Sequence, residues 1–391
     1  MLTFEKRTWA NIDLDTFRYN ISKIKSLTKA KLLIPIKADA YGHGSCEIAR
    51  ISEELDIDYL GVAGIEEAIE LREYGISLPI VILSPVFDFD IEDIIRYDII
   101  PTLSDRKFTD VFNNYAKERK HIRDVFIEID TGMGRTGLEY KKAFDEILYI
   151  KKKYNNISIK GIFSHFSTAE DEINQFAYNQ IELFTKIKKK LKNAGLDDVI
   201  YNFVNSAALL RFPDMHLNMV RPGLLAYGLY TDISLKKYID VKPIMSLYTR
   251  ISRIVDMKKG DTVSYGMKIL DRNLKVATIN IGYADGFPRC LSDKGYVLVH
   301  GKLCKVLGNV CMDLTMIDVS GVDDIKIGDT VVIIGSSGNN TISADAIAKV
   351  CKTINYEVIT RIGERVTRIY YDNNKPINIR SIANRIIHTK L

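Results

Sequence analysis

From Asp15 to about residue 230, short apolar runs alternate with stretches of helical periodicity. The runs Leu32 to Lys37, Tyr59 to Ala63, Ile80 to Leu83, Ile99 to Leu103, Val125 to Asp130, Ile159 to Ser164, Ile200 to Val204 and Leu217 to Arg221 predict eight strands. They are brief and nearly continuous in apolar character, as parallel strands covered on both faces must be. Between them, Gly64 to Tyr74 places Ile65, Ala68 and Ile69 at helical spacing, with Leu71 beside the stripe. Asn179 to Asn193 does the same with Ile181, Phe184, Ile187 and Leu191, then ends in lysines and Gly195. Cations and a glycine suit a helix C-terminus, so that lysine run reads as a solvated helix end and not as a nucleic-acid patch. Eight strand–helix units predict an α/β fold of (β/α)8 TIM-barrel type, with an open doubly wound sheet as the competitor.

After about residue 240 the period shortens to two. Leu247 to Val255, Val276 to Ile281, Val297 to Val299, Thr315 to Val319 and Thr330 to Ile334 read as strands, with one helix near Ser343 to Thr353. The expected organisation is a barrel over 14–240 and a mainly β domain over 241–391 that also takes in 1–13. The polar, basic segment Asn373 to Leu391 is assigned no function.

Composition narrows the classes. Of 391 residues, 46% are hydrophobic and 27% charged, the balance of a globular chain with a large core. The net charge of +5 comes from 55 basic and 50 acidic residues, so neither nucleic acid nor a membrane surface is demanded as a partner. The first fifteen residues hold no signal-peptide core, and no apolar run reaches the roughly 18 residues of a membrane span. A cytoplasmic enzyme is expected. Cys46, Cys290, Cys304, Cys311 and Cys351 are scattered and odd in number, which predicts neither a disulfide framework nor a zinc site.

Unusual polar residues gather at the C-terminal ends of the predicted barrel strands, where such barrels hold their active sites. Lys37 follows Leu32 to Ile36, Arg135 follows Asp130 to Gly134, His165 follows Gly161 to Ser164, Asn205 and Ser206 follow Val204, and Arg221 precedes Pro222 and Gly223. A lone strand-end lysine is usually a surface residue. Lys37 instead leads into Ala38-Asp39-Ala40-Tyr41-Gly42-His43-Gly44, which leaves room for a bound group. A lysine amine there can form a Schiff base, and Ser206 with the amides near Gly223 can hold a phosphate. The pair suggests pyridoxal phosphate.

The phrases Lys37 to Gly44, Asp130 to Gly137, His165-Phe166-Ser167, Asn205-Ser206-Ala207, Arg221-Pro222-Gly223, Ser264-Tyr265-Gly266, Gly282 to Gly286, Cys311-Met312-Asp313 and Asn355-Tyr356-Glu357 stand in order over nearly the whole chain. In these the chain resembles the alanine racemases, fold-type-III enzymes dependent on pyridoxal 5'-phosphate. The resemblance implies a two-base interconversion of L- and D-alanine, with Lys37 and Tyr265 on opposite faces of the substrate. It implies that Tyr41, Ser206, Tyr356 and the amides of Gly223 and Leu224 bind the cofactor's phosphate, with Asn205 beside them. It sets Arg221 at the pyridine nitrogen, counts His165 with the cofactor-binding residues and has it orient Tyr265 and Arg221, and places Arg135 at the cofactor's phenolic oxygen and, with the Met312 amide, at the substrate carboxylate. Tyr283, Cys311 and Asp313 would line the entrance, with no metal. It further implies a homodimer in which each β domain completes the partner's site, and a role in supplying D-alanine for peptidoglycan.

Departures from that pattern are Glu128, where relatives often carry a carbamylated lysine that braces the active-site arginine, Asn309 for arginine, Leu314 for glutamine and Thr367 for proline. Glu128 is expected to supply its carboxylate directly. The alternatives kept open are a racemase of serine or of a wider range of amino acids, a fold-type-III decarboxylase, and a non-catalytic binder of the same cofactor.

Overall fold

The computed structural model describes residues 5–103, 105–119, 121–171 and 175–383. The chain divides into two units, Arg18–Ala40 with Ser45–Lys242, and Met1–Phe17 with Tyr41–Gly44 and Pro243–Leu391. The short piece Tyr41–Gly44 lies within the sequence range expected for the barrel yet groups with the β unit.

In the first unit eight parallel strands close into a ring. Lys31–Pro35 is followed around it by Tyr59–Val62, Ile80–Pro85, Ile100–Leu103, Arg123–Asp130, Ile157–Phe163, Ile200–Val204 and Met219–Val220, which pairs back onto Lys31–Pro35. This is the (β/α)8 barrel, and the open-sheet alternative falls with the closing pair. Its interior packs Leu33, Tyr59, Val81, Phe126, Phe163, Ile200 and Met219 into one cluster. Phe126 fills the barrel because position 161 is glycine: a Cβ there would come within 2.3 Å of the ring. Helix starts are capped from the sequence, as where Asp105 accepts the Phe108 N–H at 2.9 Å.

The helix stripes differ from expectation in two places. Helix Ile65–Glu73 buries Ile65, Ala68 and Leu71, and Ile69 lies to the side. Helix Gln175–Asn193 buries Gln180 ahead of Phe184, Ile187 and Leu191, while Ile181 is only partly covered. Gln180 is tolerated there because both ends of its amide are bonded, as described below.

The second unit is mainly β. Strands Met245–Met257, Leu274–Ile279, Thr315–Asp318, Lys302–Leu307, Tyr296–Val299 and Thr330–Ser337 form an antiparallel ring that closes between Met245–Met257 and Thr330–Ser337. Thr8–Asp13 and Thr367–Asp372 extend it. Part of the segment given no role is an edge strand, Lys375–Arg380, paired antiparallel with Thr367–Asp372. Residues 1–4 and 384–391 of the expected β domain lie outside the described residues. Helix Ala344–Cys351 stands where one was expected.

The cysteine expectation is corrected. Cys290 and Cys351, 61 residues apart, form a disulfide with Cα atoms 5.4 Å apart. No spacing motif announces it, because a 3-10 turn at Arg289–Leu291 and the end of helix Ala344–Cys351 meet only in the folded unit. Cys46, Cys304 and Cys311 lie outside the disulfide. Among the described residues no helix is long and apolar enough to cross a membrane, and no group of three or more His, Cys, Asp or Glu is placed to hold a metal.

Candidate active site

At the C-terminal ends of the barrel strands the polar residues interlock. Arg221 is only 5% exposed. Its guanidinium donates to Asn202 Oδ1, to the Ser164 carbonyl at 2.8 Å and to His165 Nδ1 at 3.2 Å, and it lies 5.1 Å from the centre of the Phe163 ring. Guanidinium can only donate, so His165 Nδ1 must accept and the imidazole carries its proton on Nε2. His165 is held well below the ordinary histidine range by burial, then by the charges of Arg221, Arg135 and Lys37. The ring is neutral for both reasons.

Beneath His165 runs a small polar network. Gln180 donates to the His165 carbonyl at 3.0 Å and to the Thr131 hydroxyl at 3.2 Å, and accepts from the Ser167 N–H at 3.1 Å. Thr131 and Ser164 share a hydroxyl–hydroxyl bond of 2.8 Å. These contacts tie the His165 loop to the Asp130–Gly134 loop that leads to Arg135. Arg135 itself is exposed. Glu128 is buried and accepts from the Thr136 hydroxyl at 2.6 Å. Among the described residues it forms no ion pair with Arg135, so its contact with this loop runs through the neighbouring threonine.

Lys37 is half-buried at the start of an unusual turn. Ala38, Asp39, Ala40 and Tyr41 have φ between +52° and +55°, a left-handed turn built without glycine. Such backbone costs about 1–2 kcal/mol per residue and persists only where the surroundings impose it. The Ala40 N–H donates to the Ile36 carbonyl at 2.8 Å and the Ser45 N–H to Asp39 at 2.9 Å. Burial, and next the charge of Arg135, pull the Lys37 amine below the ordinary lysine range; Glu67 opposes them, Arg221 adds to them, and Glu128 opposes. A basic, readily unprotonated amine is what a Schiff-base lysine requires.

Asn205 caps helix Ser206–Arg211 by accepting the Ala208 N–H at 3.0 Å, so its side chain is committed to the turn. The buried Ser206 hydroxyl accepts the Leu225 N–H at 3.3 Å, which places it at the short helix Gly223–Ala226. Gly223 N–H donates to the Arg221 carbonyl at 2.9 Å. Leu224 N–H lies in the first turn, where a donor has no intrahelical acceptor.

The β unit presents the remaining expected residues. Tyr265 tops the hairpin of Thr262–Val263 with Lys268–Ile269 and is 74% exposed. Its carbonyl accepts from Asn309 Nδ2 at 2.7 Å, and Ser264 donates to the Asn309 carbonyl at 2.6 Å. Tyr283 N–H donates to the Cys311 carbonyl and Ala284 N–H to the Met312 carbonyl, each at 3.0 Å, so these two segments run together. Position 282 must be glycine, since a Cβ would come within 2.3 Å of the Met312 carbonyl. Asp313 pairs with Arg365 at 2.7 Å, and Arg365 also reaches Asp285 at 3.2 Å. Tyr41 and Tyr356 have ring centroids 5.8 Å apart. Cys311 contacts Ser264 and the Asn309 carbonyl and, among the described residues, no base, which suits a wall and not a nucleophile.

Sequence reading noted Asn309 only as a departure from the family pattern and missed Asn202, Gln180, Glu67 and Arg365. Only Asn202 left a signal, a polar residue inside the apolar strand Ile200–Val204.

The N-terminal domain model of alanine racemase matches residues 12–231 and the C-terminal domain model residues 244–370. Alanine racemase of Halothermothrix orenii is 39% identical over 368 residues, 93% of this chain and 96% of the relative. The solved alanine racemase of Clostridium difficile 630 superposes with a TM-score of 0.92 at 38% identity, covering 97% of this chain and 99% of that one. That of Bartonella henselae, with covalently bound pyridoxal phosphate, gives 0.83 at 26% identity, covering 94% and 100%. With both domain models matched and relatives similar over nearly their full length, the chain belongs to the alanine racemases, the isomerases that interconvert L- and D-alanine.

Proposed function

We propose that this chain racemises alanine with pyridoxal 5'-phosphate bound through Lys37, using Lys37 and Tyr265 of the partner subunit as its two bases. The carrying observation is the Lys37 pocket, where a half-buried amine with lowered proton affinity stands among Arg135, Arg221 and a neutral His165. The residues present fit the cofactor. Lys37 matches its aldehyde, while the cationic surroundings and the Ser206 hydroxyl match a ligand carrying phosphate and carboxylate. Ser206 and the Leu224 and Gly223 amides would hold the phosphate, and the family pattern adds Tyr41 and Tyr356. Since Gly223 N–H already has an acceptor, Leu224 carries more of that load.

When bound, the cofactor lowers the cost of removing the substrate's Cα proton by delocalising the charge left behind. Racemisation then needs one base on each face, within hydrogen-bond reach of that proton. Lys37 takes or returns it on one face and Tyr265 of the partner subunit on the other. His165 presents Nε2–H as a donor, because Nδ1 is occupied by Arg221. That donor favours the phenolate form of a tyrosine facing it. Arg221 stays charged and keeps its proton, so a pyridine nitrogen facing it stays unprotonated. Arg135 and the Met312 amide hold the carboxylate, Glu128 steadies the Arg135 loop, and Tyr283, Cys311 and Asp313 line the entrance.

The same reading makes the enzyme a homodimer with composite sites, supported by the exposure of Tyr265. It places the enzyme in the cytoplasm, supplying D-alanine for peptidoglycan. Chiral chromatography of alanine incubated with the wild type, Lys37→Ala and Tyr265→Phe tests the mechanism. Wild type should form D- from L-alanine and the reverse, Lys37→Ala neither, and Tyr265→Phe far less. Full activity in Lys37→Ala would remove it from the mechanism.

A further inference from the structure

Glu67 stands on the first turn of helix Ile65–Glu73. One carboxylate oxygen accepts the Ala63 N–H at 2.6 Å. That bond alone is an ordinary helix-start contact, in which an early acidic residue reaches back to a free N–H. The other oxygen accepts the Ala38 N–H at 2.7 Å. Ala38 is the first residue of the left-handed turn and the residue immediately after Lys37. One carboxylate therefore joins the end of strand Tyr59–Val62 to the point where the chain leaves strand Lys31–Pro35. One helical turn on, Glu70 accepts from the Ser45 hydroxyl at 3.3 Å, just past the other end of the turn.

We propose that Glu67 is a positioning residue for Lys37: by binding both N–H groups it imposes the left-handed turn and so fixes the direction in which the Lys37 side chain enters the pocket. Left to itself the turn would relax toward right-handed backbone, because four successive residues with side chains are held at positive φ. An acceptor that is charged, and bonded to two backbone groups at once, is suited to hold it. The charged groups facing the Lys37 amine are Glu67, Glu128, Arg135 and Arg221, beside His165, and Glu67 is the largest of those that favour its protonated form. Glutamine at 67 could keep the Ala63 bond through its amide oxygen, but it would turn an NH2 group toward the Ala38 N–H. The substitution thus removes the charge and leaves one amide oxygen to serve two N–H groups.

The inference rests on Lys37 being the cofactor lysine, and the test reads Lys37 without the cofactor first. In apoprotein, Lys37 is labelled competitively with acetic anhydride between about pH 7 and 11 and quantified by mass spectrometry of its peptide. Pyridoxal phosphate binding is then titrated by absorbance, and folding is followed by circular dichroism and thermal melting. Glu67→Gln should fold, shift the Lys37 labelling midpoint to lower pH, and bind pyridoxal phosphate about tenfold more weakly, the loss expected for one charge-assisted bond. Glu67→Asp keeps the charge on a shorter arm. Its midpoint should stay near that of the wild type while its affinity falls. A folded Glu67→Gln with an unchanged midpoint and unchanged affinity overturns the proposal. If Glu67→Gln does not fold, unchanged affinity in Glu67→Asp overturns it. Failure of the wild type to bind pyridoxal phosphate would strike the cofactor reading alone, since the labelling profile still reports on Glu67.

Discussion

The two units present their candidate site residues in opposite ways. In the barrel, Arg221 is buried and bonded on several sides, His165 is fixed in one protonation form, and Lys37 leaves a turn held from two elements. In the β unit, Tyr265 is 74% exposed and Met312 is 52% exposed. Met267 and Ile269 stand uncovered on the same hairpin. Its backbone is nevertheless firmly placed, by Asn309 and Ser264 and by the ion pair of Lys268 with Asp293. Uncovered aromatic and apolar side chains grouped on one hairpin suit contact with a surface that the hairpin does not itself supply. The barrel groups are held by bonds within their own unit, whereas the hairpin side chains stand exposed.

The sharpest test of that contrast is complementation. When equal amounts of Lys37→Ala and Tyr265→Phe are dissociated and reassociated, half of the dimers are mixed and each of these holds one intact composite site. About a quarter of wild-type activity should return from two nearly inactive parents, if the isologous dimer builds each site from both subunits. No recovery would mean that both bases act within one chain.

A second test concerns what stiffens the β unit. The Cys290–Cys351 bond closes a loop across 61 positions, and its removal should cost up to about 4 kcal/mol of stability by loop entropy. Thermal melts of Cys351→Ser, and of wild type with and without reductant, measure this. Thiol titration of unfolded, air-exposed protein should count three thiols before reduction and five after. Five at the outset would show the pair reduced, as a reducing cytoplasm would keep it.

Breaking the barrel half should cost less stability but change its pH response. Arg221→Leu strands Asn202 Oδ1 and the Ser164 carbonyl, a loss of about 1–3 kcal/mol. His165 has its folded-state pKa lowered by burial and then by Arg221, so it binds fewer protons folded than unfolded. The stability this contributes is whole above about pH 6.5 and is lost as pH falls toward the folded value. Without Arg221 the folded pKa rises, so melts recorded from pH 8 to 5 should show a shallower acid slope than the wild type. The smallest effect is expected from Asn309→Ala, which frees the Tyr265 carbonyl and should cost about 1 kcal/mol. A drop in kcat with the melting temperature nearly kept would show that hairpin order matters to catalysis.

Much of the barrel side was legible. Lys37, His165, Ser206 and Arg221 each break an apolar strand pattern at its C-terminal end, and burial makes such breaks conspicuous. The groups that orient them were not legible. Glu67 and Gln180 belong to helices whose charged or polar positions look like any solvated face, and their partners lie 29 and 15 residues away. Leu71 replaces Ile69 in the buried stripe for a similar reason, since a short helix can roll on the sheet without changing its periodicity.

What the sequence by itself determined is therefore the alternation of strands and helices, the change to period two near residue 240, and the family with its motif residues. Periodicity and local order of residue types are properties of the chain, readable before it folds. The closing of both rings, the Cys290–Cys351 bond, the neutral tautomer of His165 and the left-handed turn after Lys37 were decided only in the tertiary structure. Each depends on groups distant in sequence meeting at hydrogen-bond or covalent range. That proximity is set by how whole elements pack, and no local pattern encodes it.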